Sequence, residues 1–366
     1  MIIPLVLTSC YASVAFALRP YAENFIVPIE AINGSAEFSS TASYNGVDSV
    51  QIQKPNRTSY EWWYFDATAA DASAAVVFQP VAGYMTDQSL NLRLNFAYEN
   101  GTFSEFILPR EKLFVSTVGA ASSGLSSDGS YSWHGAPDLS EYLISMDIPE
   151  LGISGDIRLQ SLDLSLTSDD QIAPAHGPCG PAVIGETLEF NWDLYWVNAI
   201  PDAQASVNLQ INGTTLAFQG PGYHDKAPFN FIPYLNQWYW GHGRAGDLSV
   251  VWYYHLDAAG AVAASAYIAR DNRIFHAACE GVAVRPFGEG VEYPLPAGYN
   301  ATVEGYEIEI DAGALGNYSF TATAKKSIVT PAGYDRWIGV LEGGLVGGES
   351  SSGAALWEMM GPAVEV

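Results

Sequence analysis

Residues 61–66 read Glu-Trp-Trp-Tyr-Phe-Asp, a composition typical of a β-strand. A strand turns successive side chains to opposite faces. One face would carry Trp62, Tyr64 and Asp66, and the other would carry Glu61, Trp63 and Phe65. Each face therefore combines one carboxylate with two aromatic rings. A carboxyl group buried beside rings has a raised pKa and can act as an acid; the alternative is a core strand whose carboxylate meets an arginine or caps a loop.

Short runs of alternating apolar and polar residues recur along the chain, separated by Gly, Pro, Asn and Asp. No stretch of the sequence keeps apolar residues at helical spacing for three turns. The runs are residues 75–78, 90–97, 141–148, 155–166, 188–196, 206–211, 248–256, 261–269, 302–310 and 318–324. This spacing predicts an all-β sandwich or barrel.

A chain of 366 residues is long enough for two domains. Residues 220–228 contain enough Gly and Pro to connect them. We therefore predict an N-terminal domain over residues 18–225 and a C-terminal domain over residues 226–366. The segments predicted to be irregular are 119–129, 168–181 and 343–353.

The N-terminus predicts entry into the secretory pathway. Residues 2–14 are mostly apolar, and residues 15–17 place alanines where signal peptidase recognises small side chains. Because this run is too short to span a bilayer, residues 1–17 are predicted to be a cleaved signal peptide. Asn-X-Ser/Thr sequences predict N-glycosylation and local exposure. The predicted glycosylation sites are Asn33, Asn56, Asn100, Asn212, Asn300 and Asn317.

The net charge and the cysteine and histidine residues indicate which partners, cross-links and cofactors to expect. A net charge of −25 would repel nucleic acid and anionic membranes. No segment after the signal peptide is a transmembrane candidate, so we expect a soluble mature protein. Cys179 and Cys279 remain after cleavage and are predicted to pair in an oxidising compartment. No histidine spacing resembles a metal site and no nucleotide-binding glycine pattern occurs, so we predict neither metal nor cofactor.

Two further clusters combine ionisable and aromatic residues. Residues 223–226 read Tyr-His-Asp-Lys at the predicted domain junction, where ligand sites are common. His224 would transfer a proton while Asp225 fixes its tautomer; the alternative is an exposed turn capped by Asp225. Residues 238–244 read Trp-Tyr-Trp-Gly-His-Gly-Arg, and residues 252–255 add Trp-Tyr-Tyr-His. These aromatic rings fit an apolar pocket wall and equally a barrel core.

The three clusters resemble the hallmark segments of the carotenoid 1,2-hydratase (hydroxyneurosporene synthase)-like superfamily, and more closely its fungal branch of Diels–Alderases. The resemblance rests on residues 61–67, 222–226 and 238–244 in that order, and spans nearly the whole mature chain. It implies an N-terminal β-sandwich and a C-terminal lipocalin-like β-barrel, with an apolar pocket between them. It also implies a cofactor-independent [4+2] cycloaddition in fungal secondary metabolism, on a polyene, terpene or polyketide substrate.

A pericyclase needs a cavity that holds the reacting groups together and donors that stabilise charge on a carbonyl. The predicted acid or hydrogen-bonding residues are Glu61, Asp66, His224, Asp225 and His242. The predicted substrate-binding residues are Trp63, Tyr64, Tyr223, Trp238, Trp240, Tyr254 and Trp337. Arg244 is expected to be a structural partner of a buried carboxylate.

The signal peptide and the acceptor sequences depart from the decalin-forming members of the resembled family. They favour an intermolecular hetero-Diels–Alder reaction, which would join a tropolone quinone methide, formed by dehydration, to a terpene such as humulene. Three alternatives stay open. They are hydration or dehydration of a polyene or terpenoid, intramolecular closure of a decalin, and non-catalytic carriage of an apolar ligand.

Overall fold

The structure is a computed structural model of the chain. It describes residues 22–39, 41–83, 88–162, 170–191, 194–230, 235–299, 301–329 and 333–362. The predicted signal peptide and Asn300 lie outside these residues. No helix in these ranges is long and apolar enough to cross a bilayer.

The described residues form antiparallel β-strands and two short 3₁₀ turns, Pro149–Leu151 and Gly313–Leu315. The first strands are β1 (Ala22–Val27), β2 (Glu37–Phe38), β3 (Ile52–Lys54), β4 (Ser59–Thr68), β5 (Ala75–Ala82), β6 (Leu90–Ala97), β7 (Phe103–Pro109), β8 (Leu113–Val118) and β9 (Ala121–Ser126). The next are β10 (Tyr131–Gly135), β11 (Glu141–Ile148), β12 (Ile153–Ser161), β13 (Gln171–His176), β14 (Pro181–Val183), β15 (Glu189–Asn191), β16 (Leu194–Tyr195), β17 (Val197–Ile211) and β18 (Thr214–Asn230). The last are β19 (Leu235–Ala245), β20 (Leu248–Asp257), β21 (Val262–Arg270), β22 (Arg273–Ala278), β23 (Val282–Phe287), β24 (Gly305–Asp311), β25 (Asn317–Val329), β26 (Tyr334–Leu345) and β27 (Ser351–Met360).

Two large sheets divide the fold. The first is a half-barrel in the order β1-β8-β9-β10-β11-β12-β17-β18-β4-β5-β6-β7, and the second is a nearly closed barrel in the order β22-β21-β20-β19-β27-β26-β25-β24-β23. The predicted all-β class is confirmed. Each sheet packs around its own apolar core, and a third cluster of buried aromatic and aliphatic residues lies between the two sheets.

The predicted domain boundary after residue 225 falls inside β18. This strand stays paired with β4 as far as Asn230, and the second sheet begins with β19 at Leu235. Gly222, predicted from the sequence to be part of a connection, lies within this strand. A Cβ atom at Gly222 would lie 2.7 Å from the side chain of Leu159 and 2.9 Å from that of Ala205. Glycine is therefore needed at this position for close strand packing.

Two segments predicted to be irregular are partly extended, and the rest of each is turn or loop. Residues 119–129 contain β9, where a Cβ at Gly124 would strike the Trp133 ring at 2.2 Å. The small side chains of β9 thus make room for a buried tryptophan. Residues 343–353 begin within β26 and end within β27.

Cys179 and Cys279 form a disulfide that joins the two sheets of the fold. Cys179 follows β13 of the first sheet, and Cys279 follows β22 of the second. Close to this bond, the Ser265 hydroxyl of β21 donates to the carbonyl oxygen of Pro178. The disulfide therefore holds the segment after β13 against the second sheet.

We expect N-glycans at Asn33, Asn100, Asn212 and Asn317, which are exposed. Asn56 should be less occupied because its amide nitrogen already donates to the Gly34 carbonyl at 2.9 Å. Peptide mass spectrometry after glycan removal from the full chain expressed in a fungal host would locate the modified residues. Glycans at these sites would support entry into the secretory pathway. Absence of glycan from all the exposed sites would contradict it.

Candidate functional site

A cavity of about 460 Å³ lies between the two sheets. Its walls combine strands of the half-barrel, mainly β4 to β7 and β18, with strands β19, β20, β26 and β27 of the barrel. The lining residues are Tyr60, Trp62, Tyr64, Gln79, Val81, Arg93, Glu105, Ile107, Trp196, Asp225, Phe229, Trp238, Trp240, Tyr253, Tyr334, Arg336 and Glu358. The cavity is therefore mostly aromatic, with a few charged groups.

The register of β4 against β18 decides which side chains reach this cavity. Asp225 pairs with Tyr64, and His224 pairs with Phe65. Since paired residues share a face of the sheet, Asp225 joins the Tyr64 face that lines the cavity. His224 joins the Phe65 face, which packs into the core of the half-barrel.

Asp225 is the carboxyl group held within the aromatic part of the cavity. It accepts hydrogen bonds from the Trp62 indole at 3.1 Å, the Trp196 indole at 3.0 Å and the Tyr223 hydroxyl at 3.0 Å. Burial raises the pKa of Asp225 to about 6, although these donors and the nearby His224 oppose the rise. Such a carboxyl group exchanges protons close to neutral pH, which suits a general acid or base.

Edge-on contacts between aromatic rings build the wall beside Asp225. Trp196 meets Tyr253 edge-on at 5.1 Å, and Trp238 meets Tyr253 edge-on at 6.2 Å. Trp240 lies edge-on to Tyr64 at 5.2 Å. The contacts fix rings from both sheets around one space, so the wall has a defined shape.

Asp66 and His242 form a buried pair that joins the sheets and lies outside the cavity lining. The His242 ring nitrogen Nε2 lies 2.9 Å from both carboxylate oxygens of Asp66. The Tyr64 hydroxyl donates to Asp66 at 2.8 Å, and the Tyr223 ring stacks on His242 at 4.7 Å. This network supports Tyr64 and Tyr223, which in turn contact the cavity and Asp225.

Glu61, Trp63 and His224 lie on the opposite face of the sheet, away from the cavity. Glu61 forms a buried ion pair with Lys226, whose Nζ also lies 4.0 Å from the centre of the Trp63 ring. These positions do not fit the predicted acid and substrate-binding roles.

His224 itself belongs to a second buried pair in that core. Its Nε2 is 3.2 Å from Asp48, and its ring stacks on Phe65 at 3.8 Å. Burial would raise the pKa of Asp48, but the charge of His224 and hydrogen bonds from Ser122 and Tyr142 lower it. The network stabilises the charged form of Asp48 inside the half-barrel.

Tyr254 and Trp337, both predicted to bind substrate, lie in the core of the second sheet. The Tyr254 hydroxyl is 3.1 Å from that of Tyr293, and Trp337 packs against Trp357 at 6.4 Å. Arg244 pairs with Asp202 of the first sheet at 2.7 Å, as a structural partner of a carboxylate.

A model of the Diels-Alderase-like family matches residues 29–362. The chain belongs to the Diels-Alderase-like family. It is 29% identical to the quinolone epoxide rearrangement protein asqO of Emericella nidulans, over 90% of this chain and 91% of that protein. It is 30% identical to the quinolone epoxide rearrangement protein penF of Penicillium thymicola, over 90% of this chain and 92% of that protein.

Members named Diels-Alderases are more distant. The protein ucsH of an Acremonium species is 25% identical over 64% of this chain and 59% of that protein. The crystal structure of CghA with Sch210972 matches the fold with a TM-score of 0.75 at 19% identity, over 94% of this chain and all of that one. This Diels-Alderase-like protein is therefore a cyclase-type enzyme with the CghA fold.

Of the predicted site residues, this Diels-Alderase-like protein brings Tyr64, Asp225, Trp238 and Trp240 to the cavity. Sequence reasoning missed Trp62 and Trp196, which hold Asp225. Trp62 was detectable, because it lies on the face of residues 61–66 that carries Tyr64. Additional cavity residues missed in the sequence are Tyr60, Gln79, Val81, Arg93, Glu105, Ile107, Phe229, Tyr253, Tyr334, Arg336 and Glu358. The charged ones carry no local motif, since their strands meet only in the folded chain.

Among the residues that the structure describes, no group of three or more His, Cys, Asp or Glu side chains has an arrangement that could hold a metal ion.

Proposed function

We propose that the protein catalyses acid-assisted rearrangement of an epoxide on an aromatic secondary metabolite of the quinolone class. The observation that carries this proposal is Asp225, a carboxyl group with a pKa raised to about 6 inside an aromatic cavity. An epoxide needs a proton on its oxygen as the carbon–oxygen bond breaks, and such a carboxyl group supplies it. No cofactor enters this scheme.

The step conserves atoms. Asp225 gives its proton to the epoxide oxygen while one carbon–oxygen bond breaks, which leaves a hydroxyl group and a positively charged carbon. A hydrogen or carbon substituent then leaves the neighbouring hydroxyl-bearing carbon with its bonding electrons and migrates to the positive carbon. The hydroxyl-bearing carbon becomes a carbonyl as the hydroxyl proton returns to Asp225. The rings of Trp62, Trp196 and Tyr253 line the cavity, and aromatic faces stabilise positive charge.

The similarity to known proteins supports the epoxide over other substrates. The two quinolone epoxide rearrangement proteins align over about nine-tenths of both chains, whereas ucsH aligns over 64% of this one. Similarity over both sheets includes both walls of the cavity. It therefore bears on the substrate more directly than similarity over part of the chain.

A second proposed function is a [4+2] cycloaddition, including the hetero-Diels–Alder reaction of a tropolone quinone methide with humulene. The favouring observation is that the buried indole N–H groups of Trp238 and Trp240 have no acceptor in the described part of the chain. Donors of this kind stabilise charge that develops on the carbonyl of an electron-poor partner. Asp225 would protonate the hydroxyl group that leaves when the quinone methide forms.

Parallel product assays distinguish the two functions. Purified protein would be incubated with a quinolone that carries a side-chain epoxide, and separately with a hydroxymethyl-tropolone precursor plus humulene. We expect faster formation of one isomer of the epoxide substrate than without protein, with no change in mass.

The other outcomes are equally informative. A stereoselective tropolone–humulene adduct with inert epoxide would favour cycloaddition. Uptake of labelled oxygen from water would indicate a hydratase. Tight binding with no product in either assay would identify a carrier and reject both proposals.

A further inference from the structure

A second polar region of the cavity is formed by two guanidinium groups from opposite sheets. Arg93 lies on β6 of the half-barrel, and Arg336 lies on β26 of the barrel. Their guanidinium carbons lie 4.6 Å and 5.6 Å from the centre of the Tyr334 ring. Both arginines and Tyr334 line the cavity.

Arg336 has more donors than protein acceptors. A guanidinium group carries five N–H donors. Nε and Nη2 donate to Glu358, Nη2 also donates to Tyr334, and Nη1 donates to Asn95 at 2.6 Å. These bonds use four donors, so one N–H of Nη1 has no acceptor among the described residues. The side chain is 1% exposed, which makes an unused donor costly unless a ligand accepts it.

Arg93 has a larger excess of donors. Its Nε and Nη2 donate to the same oxygen of Glu105, at 3.3 Å and 2.9 Å. Nη1 makes no hydrogen bond to another described residue. Because Arg93 is also buried, the two arginines together offer several unused donors to one region of the cavity.

The charge of this region selects among possible acceptors. Glu105 neutralises Arg93, and Glu358 neutralises Arg336, so the four side chains have no net charge. A carboxylate or phosphate would bring uncompensated charge into a buried site beside two glutamates. A neutral, strongly polarised oxygen gains the hydrogen bonds without that cost, and the carbonyl of an amide is such an oxygen.

We propose that Arg93 and Arg336 bind the carbonyl oxygen of a lactam ring, and so direct the reactive part of the substrate toward Asp225. This inference rests on the proposed function, because it gives one substrate of that reaction a fixed direction in the cavity. The lactam ring lies against Tyr334, and the apolar remainder lies among Trp62, Trp196 and Tyr253.

Binding of two small probes tests this inference without turnover. Quinolin-2(1H)-one presents a lactam carbonyl, whereas 2-methoxyquinoline has nearly the same shape and lacks that carbonyl. We expect the protein to bind the lactam about tenfold more tightly, as one charge-assisted hydrogen bond allows. Ligand-observed NMR titration would give both dissociation constants.

A variant and a matched control locate the effect. Arg93→Met should bind the two probes with similar affinity, while Arg158→Met should keep the lactam preference. Arg158 is a suitable control because it also pairs with a glutamate, Glu141, but on the exposed outer side of the half-barrel. Thermal melting would confirm that both variants fold.

Equal affinity of the unaltered protein for both probes would overturn the inference, and this comparison needs no variant. A lactam preference that survives in folded Arg93→Met would overturn it as well. A preference that Arg93→Met abolishes, in a protein that leaves the epoxide unchanged, would support the binding site and reject the proposed reaction.

Discussion

Asp225→Asn is expected to lower the rate of epoxide rearrangement by about two to four orders of magnitude, the usual contribution of a general acid. The amide has nearly the same size as the carboxyl group, so the cavity keeps its shape. It cannot donate a proton to the epoxide oxygen at neutral pH. Single-turnover kinetics with saturating substrate would measure the loss in the chemical step.

The pH dependence of the rate independently tests the role of Asp225 as an acid. Because burial raises the pKa of Asp225 to about 6, the protonated acid is abundant below that pH and scarce above it. The rate should therefore fall as pH rises through about 6, and the residual rate of Asp225→Asn should lack this fall. Asp156→Asn is the matched control, since Asp156 is exposed on the half-barrel and accepts from Ser145.

The raised pKa of Asp225 also predicts that this residue lowers the stability of the folded protein at neutral pH. A carboxyl group with a raised pKa in the folded state contributes stability below the unfolded pKa, and that contribution is lost as pH rises through the folded pKa. A rise from 3.8 to about 6 corresponds to about 3 kcal/mol. The free energy of unfolding of Asp225→Asn should therefore improve relative to the unaltered protein by about this amount between pH 3 and pH 7. An equal pH dependence in both proteins would show that Asp225 is not the raised group.

The all-β class was predictable because strand periodicity is a local property of the sequence. Residues 61–66 alternate as expected, and β4 spans them. What residues 61–66 could not show is which face meets the second sheet. Both faces carry a carboxylate and aromatic rings, so Glu61 and Asp66 were equally good candidates from sequence.

The acid of the cavity was present in the sequence as part of residues 223–226, but its role depended on register. Pairing with Tyr64 turns Asp225 to the cavity and His224 to the half-barrel core. Hydrophobic alternation cannot predict this pairing, because Tyr64 is remote from Asp225 in sequence, as are Trp62 and Trp196, which donate to it. The pairing of the two arginines was unpredictable for the same reason, since Arg93 approaches Tyr334, two residues before Arg336, only in the folded chain.

Lys226→Met is expected to destabilise the protein by about 3–5 kcal/mol, because it leaves a buried carboxylate without its cation. Glu61 is 1% exposed and Lys226 is completely buried. Burial lowers the pKa of Lys226, and the neighbouring charge of Glu61 opposes that effect. Glu61 also accepts the backbone N–H of Gln51 at 2.6 Å, which fixes the carboxylate in place.

Urea unfolding of four proteins would test this account. Lys226→Met should lose the most, and Lys226→Met with Glu61→Gln should recover most of the loss, because the remaining amide is neutral and still accepts from Gln51. Lys54→Met is the matched control: Lys54 and Glu37 form an exposed pair at 2.7 Å, and exposed pairs contribute less than about 1 kcal/mol.

The double variant also separates structure from catalysis at Glu61. Glu61 lies on the opposite face of the sheet that carries Asp225. The folded double variant should therefore rearrange the epoxide at close to the unaltered rate. A loss of the chemical step as large as that of Asp225→Asn, with the fold intact by circular dichroism, would restore Glu61 as a catalytic acid. If Lys226→Met lowers the free energy of unfolding by less than about 1 kcal/mol, water or protonation must compensate the charge of Glu61. An uncompensated buried charge would destabilise the protein by more than that.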